Sequence, residues 1–121
     1  MKRIVVIDDE ADNGILFNYV FRNEIQEGLI DLKFYSSSTD ALSYLLAEGR
    51  DTEMVFTDLN MPVLDGFGLI EALIKNGHKS KTYIVSAYSD SNSINKAKDF
   101  GVIKFIKKPI NFEIIRAIIG V

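Results

Sequence analysis

The chain has 121 residues and a formal net charge of −3, with 47% hydrophobic and 26% charged residues, as is typical of one folded domain over residues 1–121. It has no cysteine, which excludes disulfides and cysteine metal sites, and no apolar run near the ~18 residues of a membrane span. Acids at Asp8, Asp9 and Glu10 precede any signal-peptide core, and the bases form no stripe suited to nucleic acid. We therefore expect a cytoplasmic domain without membrane insertion or direct nucleic-acid binding.

The first half of the chain predicts strands alternating with helices. Residues 4–7 are a continuous β-branched run, typical of a strand covered on both faces. Apolar residues then recur at helical spacing over 16–25, which predicts the first helix with Leu16 on its core face. A second strand is predicted at 32–35, a helix with apolar residues at 41–46, and a third strand at 54–57.

The second half of the chain continues the same alternation. A helix carries apolar residues at 69–74, and a fourth strand is predicted at 82–85. A weakly apolar helix opens at residue 90 or 91, a fifth strand is predicted at 104–107, and a last helix at 111–119. Five strands and five helices joined by short loops predict an α/β fold, in which a doubly wound parallel sheet has helices on both faces.

The charges divide unevenly between the two halves of the chain. Residues 1–74 contain 14 acids and 5 bases, whereas residues 75–121 contain 3 acids and 9 bases. The acidic half is either a solvated face or an acidic pocket that requires a cation. His78, the single histidine, lies in a polar loop and is expected to be exposed.

The carboxyl ends of the predicted strands, where ligands bind in such sheets, carry an unusual set of side chains. They are Asp8 and Asp9, Asp58, Ser86, and Lys108. Several carboxylates in one cleft repel one another unless a cation compensates, and hard oxygen ligands suit Mg²⁺. A carboxylate beside such a metal can attack phosphorus, while a lysine and a hydroxyl stabilise the phosphoryl oxygens. The set fits metal-assisted phosphoryl transfer onto an aspartate.

Four segments together resemble the receiver domain of two-component response regulators, in particular the chemotaxis-regulator type, over essentially the whole chain. They are IVVIDDE at 4–10, VFTDLNMPVLDG at 55–66, Ser86-Ala87, and a last segment at 97–109 with Gly101-Val102 and FIKKP. The resemblance implies a flavodoxin-like fold with strand order 2-1-3-4-5. It also implies a phosphorylation-switched signalling domain that assists its own phosphorylation and dephosphorylation, rather than an enzyme with outside substrates.

The resemblance implies a phosphoacceptor and a metal site. Asp58 would take a phosphoryl group from a phosphohistidine on a sensor histidine kinase or a phosphotransfer protein. Asp9, Asp58 and the backbone carbonyl of Asn60 would bind Mg²⁺ directly, and Asp8 would act through water.

The resemblance also implies a phosphate-binding pair and a switch. Lys108 would pair with the phosphoryl group, and Ser86 would hydrogen-bond one of its oxygens. Phe105 would move inward as the Ser86 hydroxyl is drawn towards the phosphate. The Lys108-Pro109 peptide bond would be cis, which would aim Lys108 into the site.

Two surfaces are candidates for partners. On the first helix, Ile15 and Tyr19 lie four residues apart and opposite the apolar stripe, so both should be exposed. In the family this helix commonly meets the kinase, so the pair is a candidate docking patch. The fifth strand and the last two helices would serve an unknown output partner or a homodimer. The chain is either a stand-alone regulator or the receiver part of a longer protein.

Two other functions remain open from the sequence. One is a phosphate-independent interaction module, which the complete set of site residues disfavours. The other is a Mg²⁺-dependent phosphatase with an aspartyl-phosphate intermediate. Such phosphatases usually place a second acid two residues after the nucleophile, and here that position is Asn60.

Overall fold

A computed structural model describes all 121 residues, Met1–Val121, and contains one parallel sheet of five strands. The strands are β1 (Lys2–Ile7), β2 (Ile30–Tyr35), β3 (Met54–Thr57), β4 (Lys81–Ser86) and β5 (Lys104–Lys107). Their order in the sheet is β2-β1-β3-β4-β5, and every neighbouring pair is parallel. The predicted flavodoxin-like α/β fold and its strand order are confirmed.

The chain forms six helices, one more than the five predicted. They are α1 (Ala11–Val20), α2 (Arg22–Gln26), α3 (Ser38–Leu46), α4 (Gly66–Lys75), α5 (Ser91–Asp99) and α6 (Phe112–Ile119). The additional helix arises because the predicted first helix breaks at Phe21, whose φ of −100° and ψ of 14° leave the helical region. The Arg116 guanidinium, on α6, donates to the Val20 carbonyl at 2.9 Å and so satisfies an acceptor at the break.

Helices cover both faces of the sheet, and the interior strand β1 contributes to a core on each side. Ile4 and Val6 face a core that includes residues of α1 and α6, whereas Val5 and Ile7 face a core shared with α3 and α4. A third, smaller cluster lies between β4, α4 and α5, and its buried members are Leu59, Ile70, Ile84 and Ala97. Burial on both faces explains why residues 4–7 of β1 and residues 54–56 of β3 are apolar at every position.

Two burial predictions are wrong. Leu16 is 46% exposed and lies outside the cores, although helical spacing placed it on the core face. His78 is half-buried rather than exposed, because its ring joins two loops. Its Nδ1 accepts from the Ser80 backbone N–H at 3.2 Å, and its Nε2 lies 3.1 Å from the Gly49 carbonyl oxygen. None of the helices has the length and apolar composition needed to cross a membrane.

Candidate functional site

Three aspartates meet where β1 and β3 end side by side. Ile7 pairs with Thr57 in the last register position of the two strands, and the Asp58 backbone N–H donates to the Ile7 carbonyl at 3.0 Å. Asp8, Asp9 and Asp58 each place one carboxylate oxygen within 4.8 Å of the others. Asp8 and Asp58 are buried, with 4% and 8% of their surface exposed, whereas Asp9 is exposed. The structure therefore brings together carboxylates that lie about 50 residues apart in the sequence.

Lys108 lies between two of these carboxylates. Its Nζ is 2.8 Å from Asp8 Oδ2 and 2.8 Å from Asp58 Oδ2, and 15% of its side chain is exposed. Burial lowers the pKa of Lys108, but the hydrogen bonds and charges of Asp58 and Asp8 outweigh that effect and raise the pKa above its ordinary value. The ammonium therefore stays charged at neutral pH and compensates the two buried carboxylates. The Lys108-Pro109 peptide bond is cis, as the resemblance implies.

Backbone donors orient both buried carboxylates. Asp8 Oδ1 accepts from the Glu10 N–H at 2.9 Å, and Asp58 Oδ1 accepts from the Leu59 N–H at 2.7 Å. In each carboxylate the other oxygen, Oδ2, is the one that meets Lys108. These hydrogen bonds hold the two side chains in defined rotations before any ligand arrives.

The loop after β3 approaches the backbone of Asp58 very closely. A Cβ atom at Gly66 would lie 2.3 Å from the Asp58 carbonyl oxygen, so only glycine fits there without a shift of the backbone. The Gly66 N–H donates to the Leu59 carbonyl at 2.9 Å and closes the loop. Within the loop Val63 has a φ of +71°, a left-handed conformation that is rare for a β-branched residue. The loop also carries the exposed Asn60, whose carbonyl accepts none of the backbone hydrogen bonds.

The oxygen atoms at this edge fit a hard divalent cation such as Mg²⁺. The available groups are carboxylates and a free backbone carbonyl, which Mg²⁺ prefers to nitrogen or sulfur ligands. Neither Lys108 nor a backbone N–H engages the exposed Asp9 carboxylate, so its oxygens are open. Asp8 is more occupied, because Glu10, Lys108 and Asn13 all donate to it.

Ser86 and Phe105 lie on the neighbouring strands β4 and β5. Ser86 ends β4 and is fully buried, and its hydroxyl oxygen accepts from the Tyr88 N–H at 3.2 Å, which leaves the hydroxyl proton free to donate elsewhere. Phe105 is half-buried opposite Ile84 and packs against the third core cluster, which includes Leu59 next to Asp58. The switch aromatic implied by the resemblance thus shares a packed cluster with the residue that follows Asp58.

Residues of α1 present an apolar surface. Ile15 and Tyr19 are 67% and 62% exposed, in agreement with their predicted exposure. The Arg22 guanidinium lies 4.2 Å from the centre of the Tyr19 ring. The exposed Leu16 lines a depression that also includes Lys108 and Pro109, so the apolar surface extends to the edge of the acidic site.

One side chain at the site was not predicted from the sequence. Asn13, in the first turn of α1, donates from Nδ2 to Asp8 Oδ2 at 2.8 Å. A usable signal was present, because a polar residue five positions after a strand-end aspartate lies on the helix turn that follows the strand.

Comparison with known proteins defines the class of protein that this fold and site represent. The family model of the response regulator receiver domain matches residues 4–120. The chain belongs to the response regulator receiver domain family. Domains of this family are signalling phosphoacceptors of two-component systems, and they interact with histidine kinases or phosphotransfer proteins.

The chain is similar to curated relatives of different lengths. Sporulation initiation phosphotransferase F of Bacillus subtilis is 25% identical over 115 residues, which are 95% of this chain and 88% of that protein. The transcriptional regulatory protein PcoR of Escherichia coli is 25% identical over 112 residues, which are 93% of this chain. The chain spans 47% of PcoR and 30% of a probable C4-dicarboxylate response regulator, DctR, of Priestia megaterium.

Solved structures share the fold. The signal receiver domain of a putative Luxo repressor protein from Vibrio parahaemolyticus has a TM-score of 0.88 at 18% identity and covers 98% of this chain and 87% of its own. The chemotaxis protein CheY4 of Vibrio cholerae has a TM-score of 0.83 at 16% identity and covers 99% of this chain and 97% of its own. At these identities the likeness shows the fold alone.

Proposed function

We propose that Asp58 is the phosphoacceptor of this receiver domain. The supporting observation is that one ammonium, Lys108 Nζ, lies 2.8 Å from both Asp58 and Asp8 at the edge where three carboxylates meet. The phosphoryl donor is a phosphohistidine on a histidine kinase or a phosphotransfer protein. The domain signals through its phosphorylated state and does not turn over outside substrates. A cytoplasmic location stays a prediction.

In the proposed transfer an Asp58 carboxylate oxygen forms the new O–P bond while the P–N bond to the donor imidazole breaks. The imidazole leaves with the electron pair of that bond and takes its proton from solvent. Lys108 keeps its proton, because its pKa is raised, and its charge offsets the negative charge on the phosphoryl oxygens. The Ser86 hydroxyl donates to one of these oxygens. Its proton is available because the hydroxyl only accepts from the Tyr88 N–H.

Mg²⁺ would be held directly by Asp9, Asp58 and the Asn60 carbonyl, and through water by Asp8. This assignment of direct and water-mediated ligands is supported by the hydrogen bonds. The oxygens of Asp9 and the Asn60 carbonyl are open, whereas those of Asp8 already accept from three donors. When bound, the cation supplies further neutralisation of the phosphoryl charge.

The signal would leave the site through Phe105, which moves inward when Ser86 is drawn towards the phosphate. Phe105 packs between β4 and the α4 and α5 helices, so its movement changes the face formed by β5, α5 and α6. That face would bind an output partner or a second copy of the chain.

The acceptor is tested by intact mass measurement after incubation with Mg²⁺ and a small phosphodonor. We expect one phosphoryl adduct on the parent protein, no adduct on Asp58→Ala, and loss of the adduct when EDTA is present throughout. Asp12→Ala, which removes an exposed acid on α1, is the matched control and should be phosphorylated like the parent. An unmodified parent would instead indicate a phosphate-independent interaction module, and steady release of phosphate from a generic phosphoester would indicate a phosphatase.

Kinase docking is proposed at the exposed pair Ile15 and Tyr19. Ile15→Asp and Tyr19→Asp place a charge on this apolar surface and should slow transfer from the cognate phosphohistidine partner at least tenfold, the effect of losing about 1.4 kcal/mol of binding. Phosphorylation by a small phosphodonor should stay at the parental rate, because the acidic site is untouched. Unchanged transfer from the partner in both variants would remove the docking assignment.

A further inference from the structure

Asn13 is the side chain of α1 that donates a hydrogen bond to the group of three aspartates, Asp8, Asp9 and Asp58. It is half-buried, and its Nδ2 lies 2.8 Å from Asp8 Oδ2, the same oxygen that accepts from Lys108 Nζ at 2.8 Å. Because an ionised carboxylate only accepts hydrogen bonds, the NH₂ group of the Asn13 amide and not its oxygen must face Asp8. The Asn13 amide is therefore the donor of this hydrogen bond, and the Asp8 carboxylate is its acceptor.

Asp8 has few acceptor positions left. A carboxylate offers about four lone-pair directions, and here the Glu10 N–H uses one on Oδ1 while Asn13 and Lys108 use those on Oδ2. The buried Asp8 side chain is thus held by the Glu10 backbone on Oδ1 and by Asn13 and Lys108 on Oδ2. One acceptor direction on Oδ1 remains for a metal-bound water.

We propose that Asn13 is a positioning residue for the phosphorylation site. It fixes the rotation of the Asp8 carboxylate, and through the shared oxygen it fixes where Lys108 lies between Asp8 and Asp58. This inference rests on the proposed function of Asp58 and of the metal site. Outer-shell residues that orient the groups around a metal commonly affect metal affinity by tenfold or more without touching the metal.

A purely structural role for the Asn13 side chain would concern the start of α1. The backbone already provides for that start, because the Asn13 N–H donates to the Glu10 carbonyl at 3.0 Å. Asparagine is also a weaker helix former than alanine or leucine. Replacing Asn13 by either residue should leave the helix as stable as before or more stable, so a loss of metal affinity would have to come from the lost hydrogen bond to Asp8.

The test compares Asn13→Ala and Asn13→Leu with the parent by calorimetric titration with Mg²⁺ alone. Asn18→Ala is the matched control, since Asn18 lies on the same helix and its amide donates to the Gly14 carbonyl at 2.9 Å rather than to the site. We expect both Asn13 variants to bind Mg²⁺ about tenfold more weakly, with the same helical circular dichroism in EDTA as the parent. The Asn18 variant should bind Mg²⁺ like the parent.

A second readout is the rate of phosphorylation by a small phosphodonor as a function of Mg²⁺ concentration. The Asn13 variants should require about tenfold more Mg²⁺ for half-maximal rate. Parental Mg²⁺ affinity in the Asn13 variants would overturn the inference, as would an affinity loss accompanied by an equal loss in Asn18→Ala. If the parent itself neither binds Mg²⁺ nor accepts phosphate, the proposed function has failed instead, so the two failures are distinguishable.

Discussion

At the scale of single residues, Lys108 is the cation shared by two buried carboxylates. Its folded-state pKa lies above the ordinary value of 10.5. A group with a raised folded pKa contributes stability that is fully present below its unfolded pKa and is lost as the pH rises through the folded pKa. The contribution of Lys108 is therefore constant through neutral pH and declines only above about pH 10.5.

Lys108→Ala should lower the free energy of unfolding by about 3 kcal/mol in EDTA, because Asp8 and Asp58 lose the cation that compensates them. Saturating Mg²⁺ should narrow this deficit, since a bound cation restores the compensation. Urea unfolding with and without Mg²⁺ measures both effects. The control is Lys107→Ala, which removes the adjacent exposed lysine and should change stability by less than about 0.5 kcal/mol. Equal stability of the Lys108 variant and the parent in EDTA would contradict the argument.

Gly66 shows a different kind of requirement at the residue scale. Its lack of a Cβ atom lets the loop after β3 lie against the Asp58 carbonyl oxygen, which also accepts from the Thr57 hydroxyl at 2.9 Å. The backbone of Asp58 is thus held from both sides. Gly66 therefore contributes to the position of the Asp58 backbone as well as to the turn of the loop.

At the scale of elements, Arg116 of α6 contacts residues on both sides of the break at Phe21. Arg116 donates to the Val20 carbonyl at 2.9 Å and to Glu24 Oε2 at 3.0 Å, and its guanidinium lies 5.0 Å from the centre of the Phe21 ring. The hydrogen bond from Arg116 lowers the pKa of Glu24 below its ordinary value of 4.5. The α2 helix is therefore attached to α6 by an ion pair with a defined pH dependence.

A lowered carboxyl pKa contributes stability that is present above the unfolded pKa and is lost as the pH falls through the folded pKa. Glu24→Gln should therefore be less stable than the parent at pH 7, and the difference should shrink below pH 4.5 as the parent loses the same charge. The difference in the free energy of unfolding is measured by urea unfolding of both proteins, at pH 7 and at the lowest pH where the parent remains folded. Glu27→Gln, an exposed acid next to the same helix, is the control. A difference that stays constant with pH would show that the ion pair is not its source.

At the scale of the whole molecule, the topology of the sheet assembles the site. Asp58 and Lys108 are 50 positions apart, and the hydrogen bond between them joins the ends of β3 and β5 across β4. The carboxyl ends of parallel strands all lie at one edge of the sheet. The loops and helix starts at that edge supply the other groups of the site. The cores on both faces of the sheet keep these ends in place.

The amino-acid sequence by itself determined the strands, their α/β alternation and the chemistry at the strand ends. A continuous β-branched run such as residues 4–7 of β1 is a local signal, because a strand covered on both faces favours apolar residues at successive positions. Asp8, Asp58 and Lys108 could also be identified from the sequence, since each directly follows a predicted strand. The strand order required the family resemblance.

Only the tertiary structure decided the division of the first helix, the exposure of Leu16, the burial of His78 and the hydrogen bond from Asn13 to Asp8. Helical periodicity reports which face of a segment is apolar, and it has no information about a partner from elsewhere in the chain. At the break at Phe21 the Val20 carbonyl accepts from Arg116, which is 96 positions away in the sequence. Such contacts form only once packing has brought distant residues together, so they appear in the fold and not in any local pattern.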